Sequence, residues 1–255
     1  MCPSIGRAGL VPEVMVTHCL LVEGDTGLTL VDTGFGTDDV AEGARRLGRA
    51  FTTLFGPRLD PSETAHAQLA ALGFHPTDVH DIVVTHLDLD HAGGLADFPH
   101  ARVHVHRAEL DAALHPAVSD RVRYVQAQWG HGPHWIEHST GGDEWLGFAS
   151  TQAVGDDVVM VPLHGHSRGH CGVAVRRPGG GWLLHAGDAY FHAGDLERPR
   201  RCPPALRAFQ RVAASDQGAR RSNLARLQQL RAQRPEEVTV FCAHDAGELE
   251  ALQHA

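Results

Sequence analysis

Apolar and polar positions along this chain change period in a regular order. VMVTHCLLVE and LTLVDTG are β-rich runs separated by the turn GDTG, which predicts a hairpin at the start of the fold. DDVAEGARRLGRA has helical spacing, and DPSETAHAQLAALG predicts a second helix with Asp60 as N-cap, Pro61 in the first turn, Glu63 completing a capping box and Gly73 as the stop. DIVVTH and RVHVH read as short strands, followed by the helix RAELDAALHP, whose end Pro116 marks. Residues 120–150 hold three of the four Trp residues and show no clean period, which predicts an irregular excursion over one face. The β pattern returns in DVVMVPL, CGVAVRRP and GWLLHAGD. Helices are expected at 203–214 and 216–233, before the strand VTVFC and a last helix AGELEALQ. No repeat or linker composition interrupts this order, so the expectation is a single α/β domain over residues 1–255.

Composition narrows the chemistry. Hydrophobic residues are 42% and charged residues 21% of 255, enough for a packed core. A net charge of -9 leaves no chain-wide positive field to neutralise a phosphate backbone, so a nucleic-acid partner is not expected. All 22 basic residues are Arg, which excludes Schiff-base chemistry and a phosphate loop built on Lys. Histidine, at 20 residues, is in excess, and metal or acid–base chemistry moves forward. Five scattered cysteines, Cys2, Cys19, Cys171, Cys202 and Cys242, form no Cys-x-x-Cys pair and read as reduced thiols. MCPSIGRAGLVPEV has no signal-peptide pattern, and no apolar run approaches a membrane span, so the expected location is cytoplasmic with no membrane partner.

The densest chemical signal is Thr85-His86-Leu87-Asp88-Leu89-Asp90-His91, which follows a predicted strand. If the chain stays extended, His86, Asp88 and Asp90 share a face while Leu87 and Leu89 point to the core. Ala92-Gly93-Gly94 would then let the backbone turn tightly after His91. His166 in LHGHSRGH, Asp188 in LLHAGD and His244 in FCAHD each follow another apolar β-run. Strand ends on one edge of a layered sheet are where loops converge on a site.

These motifs, in this order, resemble the metallo-β-lactamase-fold hydrolases, the superfamily of glyoxalase II, the quorum-sensing lactonases and ribonuclease Z-type enzymes. LVDTG, THLDLDHAGG, GHSRGH, HAGD and FCAHD match its successive motifs over roughly residues 15 to 250. The resemblance implies an αββα sandwich with two divalent metals at one edge. It implies that His86, Asp88 and His166 hold the first metal and that Asp90, His91 and His244 hold the second, with Asp188 bridging. A metal-bridging hydroxide would then attack a small ester, lactone or thioester, Asp90 would also move the proton to the leaving group, and residues 120–150 would form a substrate lid. Asp88 stands where the superfamily usually has a second histidine. An oxygen ligand there makes the first site harder and more anionic, so zinc is the default while iron and manganese stay open.

Other residues carry alternatives. His170 and His185 are expected to orient a ligand or satisfy a loop. His18 reads as a pleat residue near the hairpin, and Asp32 as a structural carboxylate that bonds backbone amides and can support the metal loop. Tyr190 is either a core aromatic or a catalytic phenol, one residue nearer Asp188 than the resemblance leads one to expect. Trp129, His131, His134 and Trp135 either line the substrate mouth or anchor their loop. Gly165-His166-Ser167-Arg168-Gly169 also matches a nucleophile elbow, with Asp188 and His244 in triad order, but β-rich sequence follows where a helix is required. Flavodiiron proteins, which share the fold and carry Glu at the position of Asp88, make a di-iron oxidoreductase the rival reading. A phosphodiesterase is the substrate-level alternative.

Overall fold

The computed structural model describes residues 14–24 and 27–254. The turn residues Asp25 and Thr26, the N-terminal segment read for a signal, and Cys2 lie outside the described residues. Two compact units emerge, one comprising Met1–Val105 and Leu110–Glu137, the other His106–Glu109 and His138–Ala255.

The first unit is built on a five-stranded sheet of order β1-β2-β3-β4-β5, comprising β1 (Leu20–Gly24), β2 (Gly27–Val31), β3 (Val79–Val83), β4 (Arg102–His106) and β5 (His134–His138). β1 and β2 form the expected antiparallel hairpin, whereas β2, β3 and β4 run parallel. Parallel strands are covered on both faces, which is why LTLV and DIVV read as nearly continuous apolar runs. Leu30, Ile82, Val84, Leu87, Leu95 and Val103 pack into one cluster with Trp129, and Trp135 lies against it.

Helices in this unit are shorter than expected. The single helix anticipated in DDVAEGARRLGRA is three pieces, α1 (Thr37–Glu42), α2 (Ala44–Leu47) and α3 (Arg49–Phe55). Gly43 at φ 49° and Gly48 at φ 86° break it, because both sit where only glycine is unstrained. α4 (Ala65–Ala71) begins at Thr64, whose hydroxyl accepts from the Ala67 amide. Asp60 caps only a preceding 3₁₀ turn over Pro61–Glu63. α5 (Arg107–Leu114) matches its expectation.

The second unit holds a six-stranded sheet of order β11-β10-β9-β8-β7-β6. Its strands are β6 (Asp143–Trp145), β7 (Phe148–Val154), β8 (Val158–Pro162), β9 (Cys171–Arg176), β10 (Trp182–His185) and β11 (Val238–Phe241). β8 and β10 are each antiparallel to β9, and β11 is parallel to β10. The C-terminal ends of β8, β10 and β11 therefore lie at the same edge. Helices α6 (Pro204–Ala213), α7 (Gln217–Gln233) and α8 (Ala246–Gln253) fall within a residue or two of their expected positions. Leu184, Leu224, Leu227, Val240 and Tyr190 share the unit's core.

Residues 120–150 are not simply irregular. β5 and β6 lie within them, and β7 begins there, after 3₁₀ turns at Val118–Asp120 and Gln126–Trp129. β5 and β6 are edge strands, short and bonded on one side only, so the alternation that marks a half-buried strand is weak. No helix among the described residues is long and apolar enough to cross a membrane.

Candidate metal centre

In the first unit the potential ligands follow β3. Leu87 and Leu89 enter the core as expected, but the chain does not stay extended through the motif. The amides of His91 and Ala92 both donate to the Asp88 carbonyl, closing a turn there. Asp90 consequently leaves the face shared by His86 and Asp88. His86 Nε2 lies 3.6 Å from Asp88 Oδ2, and His91 Nε2 lies 4.0 Å from Asp90 Oδ1. The His86 and His91 rings are 4.0 Å apart, and within each pair the candidate ligand atoms lie within 4.8 Å of one another. The motif thus presents two pairs, joined by adjacent imidazoles.

Asp32 organises both imidazoles. It is fully buried at the end of β2 with φ 56°, a backbone conformation that Asp tolerates better than most residues. Its carboxylate accepts from the Thr85 amide at 2.7 Å, the Thr85 hydroxyl at 2.8 Å and His91 Nδ1 at 2.9 Å. The Thr85 hydroxyl has one hydrogen, given to Asp32, so at 2.9 Å it accepts from His86 Nδ1. Both histidines therefore carry their proton on Nδ1 and present Nε2 as the donor atom for a metal.

Close backbone packing holds the loop. The amide and hydroxyl of Thr33 donate to the His91 carbonyl, and a Cβ on Gly93 would come within 2.5 Å of the Gly34 carbonyl oxygen. Gly93 is thus required for close approach rather than for an unusual turn. Gln128 donates to the Leu89 carbonyl and the Asp39 carboxylate, each at 2.8 Å. Arg123 Nη1 lies 3.3 Å from Asp88 Oδ1.

In the second unit His166, Asp188 and His244 follow β8, β10 and β11, the three strands that end at one edge. The Asp188 carboxylate lies between two imidazoles, 3.3 Å from His166 Nε2 and 3.0 Å from His244 Nε2. His170 Nδ1 donates to the Leu163 carbonyl, and its Nε2 accepts from the Asp188 amide at 2.8 Å. His185 Nδ1 accepts from the Gly187 amide. Both residues orient the loop that carries Asp188.

Ser167 is buried, and its hydroxyl donates to Glu109 at 2.6 Å; the Gly169 amide donates to the same carboxylate at 2.9 Å. A serine hydroxyl held by a carboxylate, in a loop followed by β9 rather than a helix, is not a nucleophile elbow. Glu109 instead fixes the loop on either side of Arg168, next to His166. Gly165, at φ 133°, lets the α7 backbone approach: a Cβ there would meet the Arg220 amide nitrogen at 2.3 Å.

Tyr190, considered as a catalytic phenol, is fully buried in the core with its hydroxyl donating to the Glu248 carboxylate at 3.1 Å. Glu248 also accepts from the Cys242 amide at 2.8 Å, and burial pushes its carboxyl up to about 7. Phe191, one residue on, is the aromatic against the candidate ligands, with ring centroids 4.7 Å from His244 and 5.7 Å from His166. Trp129 and Trp135 anchor the core of the first unit, whereas His131 and His134 are exposed. His18 is buried. Burial raises the thiols of Cys19 and Cys202 to about 12 and those of Cys171 and Cys242 higher, so all four are protonated at neutral pH.

The donor set suits divalent metals of intermediate softness. Each unit supplies buried imidazoles with a carboxylate oxygen nearby, and Asp32 fixes the tautomers of His86 and His91.

Comparison with known proteins agrees with this chemistry. The family model of the metallo-beta-lactamase superfamily matches residues 12–244. The chain is 43% identical over 248 residues to a probable metallo-hydrolase of Mycobacterium tuberculosis, covering 96% of this chain and 78% of the relative. It is 30% identical over 183 residues to the N-acyl homoserine lactonase AttM of Agrobacterium fabrum, covering 71% and 65%. Among solved structures, an N-acyl homoserine lactone hydrolase with the product N-hexanoyl-L-homoserine at its catalytic metal centre superposes with TM-score 0.73 at 22% identity, covering 97% and 89%. A dizinc quorum-quenching lactonase superposes with TM-score 0.62 at 15% identity, covering 92% and 74%.

Proposed function

Because the chain belongs to the metallo-β-lactamase superfamily and is a metal-dependent hydrolase of that fold, we propose that it binds two divalent ions and hydrolyses a small lactone, ester or thioester. In this reading His86, Asp88 and His166 hold the first ion, Asp90, His91 and His244 hold the second, and Asp188 is shared. The observation that carries it is the Asp188 carboxylate standing between the Nε2 atoms of His166 and His244, with the Asp188 amide anchored on His170. The ions would supply a water acidified toward neutrality and a Lewis acid for the scissile carbonyl.

The protein's own groups then have distinct tasks. Asp32 holds His86 and His91 in the required tautomer through Thr85 and directly. Asp90 moves a proton to the leaving oxygen or sulfur. Phe191 excludes water from one side of His166 and His244. The Tyr190 phenol takes no part, since its hydroxyl is engaged by Glu248. Zinc is the proposed native metal, supported by the dizinc lactonase that shares the fold. A lactone heads the substrate classes because the relatives at 30% identity are N-acyl homoserine lactonases. Cys19, Cys171, Cys202 and Cys242 form no disulfide, which fits a reducing, cytoplasmic setting, and the net charge of -9 disfavours a nucleic-acid substrate.

Elemental analysis of protein purified without added metal, paired with assays on lactones, thioesters and phosphodiesters, tests the proposal. Two equivalents of zinc and turnover of a lactone or ester support it. Iron with oxygen-dependent turnover favours the oxidoreductase, and cleavage restricted to phosphodiesters overturns the substrate class.

A further inference from the structure

Asp88 brings to the first metal position a negative charge that an imidazole would not, and the structure places a cation beside it. Arg123 Nη1 lies 3.3 Å from Asp88 Oδ1, and the two side chains are 15% and 13% exposed. The other oxygen, Oδ2, faces His86 Nε2 at 3.6 Å, on the side of the candidate ligand atoms. The carboxylate therefore has two differently directed oxygens, one toward the metal-facing nitrogen of His86 and one toward the guanidinium. Arg123 follows the 3₁₀ turn at Val118–Asp120, 35 positions along the chain from Asp88, and its amide donates to the Asp120 carbonyl.

We propose that Arg123 and Asp88 work as one unit, in which Arg123 is a positioning residue that cancels the charge of Asp88 and leaves Oδ2 as the atom offered to the metal. The inference rests on the two-metal reading above. Asp with Arg has the same net charge as one neutral imidazole, so the first site is no more anionic than a site with histidine. Asp88→His alone would remove the carboxylate that stands 3.3 Å from the guanidinium and leave the Arg123 charge beside a divalent cation in a largely desolvated loop, where like charges repel strongly.

A double-mutant cycle on the full chain tests the coupling. Wild type, R123Q, D88H and D88H/R123Q are stripped, reloaded with zinc, and the affinity of each equivalent is measured by competition with a chromophoric chelator. D88H should weaken one equivalent by about 10-fold or more, and adding R123Q should restore at least about 10-fold. In the wild-type background R123Q should give no gain, because the relief of repulsion is offset by the loss of the group that orients the carboxylate. A gain of equal size in both backgrounds would show Arg123 to be a remote charge only, and D88H binding as tightly as wild type would also overturn the proposal. A wild-type protein that takes up no metal sinks the two-metal reading as well, whereas two bound equivalents with an additive cycle sink this inference alone. Should D88H fail to fold, the cycle of D88N and R123Q on the melting temperature of the metal-free protein decides. Each single substitution should lower it, and the pair by less than the sum, since either one alone already removes the contact between the two side chains; an additive loss overturns the pairing.

Discussion

At the scale of single residues, the carboxylate of Asp32 is the group on which most depends. Asn is well suited to test it, because it also tolerates a positive φ and so leaves the backbone unstrained. An Asn amide can accept from the Thr85 backbone, but its NH₂ faces donors on Thr85 and His91. Asp32→Asn should therefore lower metal affinity by about 10- to 100-fold, as other losses of a ligand's supporting bond do, measured as zinc retained after dialysis against a weak chelator. Tyr190→Phe probes the opposite case. With the hydroxyl engaged by Glu248, turnover should change by less than about 2-fold while stability falls by ~1 kcal/mol. A loss of turnover of about tenfold or more, with metal retained, would show that the phenol reaches the substrate. Such distinctions were only partly legible in the sequence. The candidate ligands stand together after apolar runs, whereas Asp32 and Thr85 are 53 positions apart and Gln128 and Asp39 are 89 apart. Partnerships of that kind exist only once the strands have set which loops meet. Phe191 was missed because Tyr190 carries the more reactive group, although the side chain three after Asp188 is the one against His166 and His244.

At the scale of elements, strands with apolar neighbours on both sides were the easiest to read, and edge strands the hardest. β3 and β10 announce themselves in DIVV and WLLH; β6 is three residues long with one partner. Helix breaks at Gly43 and Gly48 follow from φ values that helical spacing alone does not reveal. The contact between α8 and the turn after β11 has a measurable pH signature. Burial is the main cause of the raised Glu248 carboxyl, with the nearby Asp245 charge adding to it. The folded state therefore holds a proton that the unfolded chain releases above its ordinary value near 4.5, so stability falls as pH rises from there to about 7 and is level beyond. Glu248→Gln should remove this slope, so that the variant's stability relative to wild type improves by at most ~3 kcal/mol between pH 4.5 and 8. Denaturant unfolding at both pH values checks it, and parallel curves for the two proteins would contradict it.

For the whole molecule, fold class and enzyme class were legible because motif order survives where overall identity does not. The structural neighbours share only 22% and 15% of their residues with this chain over nearly its full length. Division into two compact units was not legible, since no linker composition marks it and the short segment His106–Glu109 goes with the second unit while its flanks go with the first. If the proposed ions are bound only by the folded chain, binding adds to stability in proportion to the logarithm of their concentration over Kd. Treatment with a strong chelator should therefore abolish hydrolysis and lower the melting temperature, and added zinc should recover both. Full activity in metal-free protein would contradict the assignment.

The bond from His86 to Thr85 to Asp32, alongside the direct bond from His91, means that two imidazoles share one reference carboxylate. Their tautomers are then correlated rather than independent, and the motif has a single switch where two separate ones would be expected. A loop of this kind is either correctly protonated at both histidines or disturbed at both, so damage to the Asp32 network should weaken the two proposed ions together, each by the same loss of the competent tautomer, and not one ion alone.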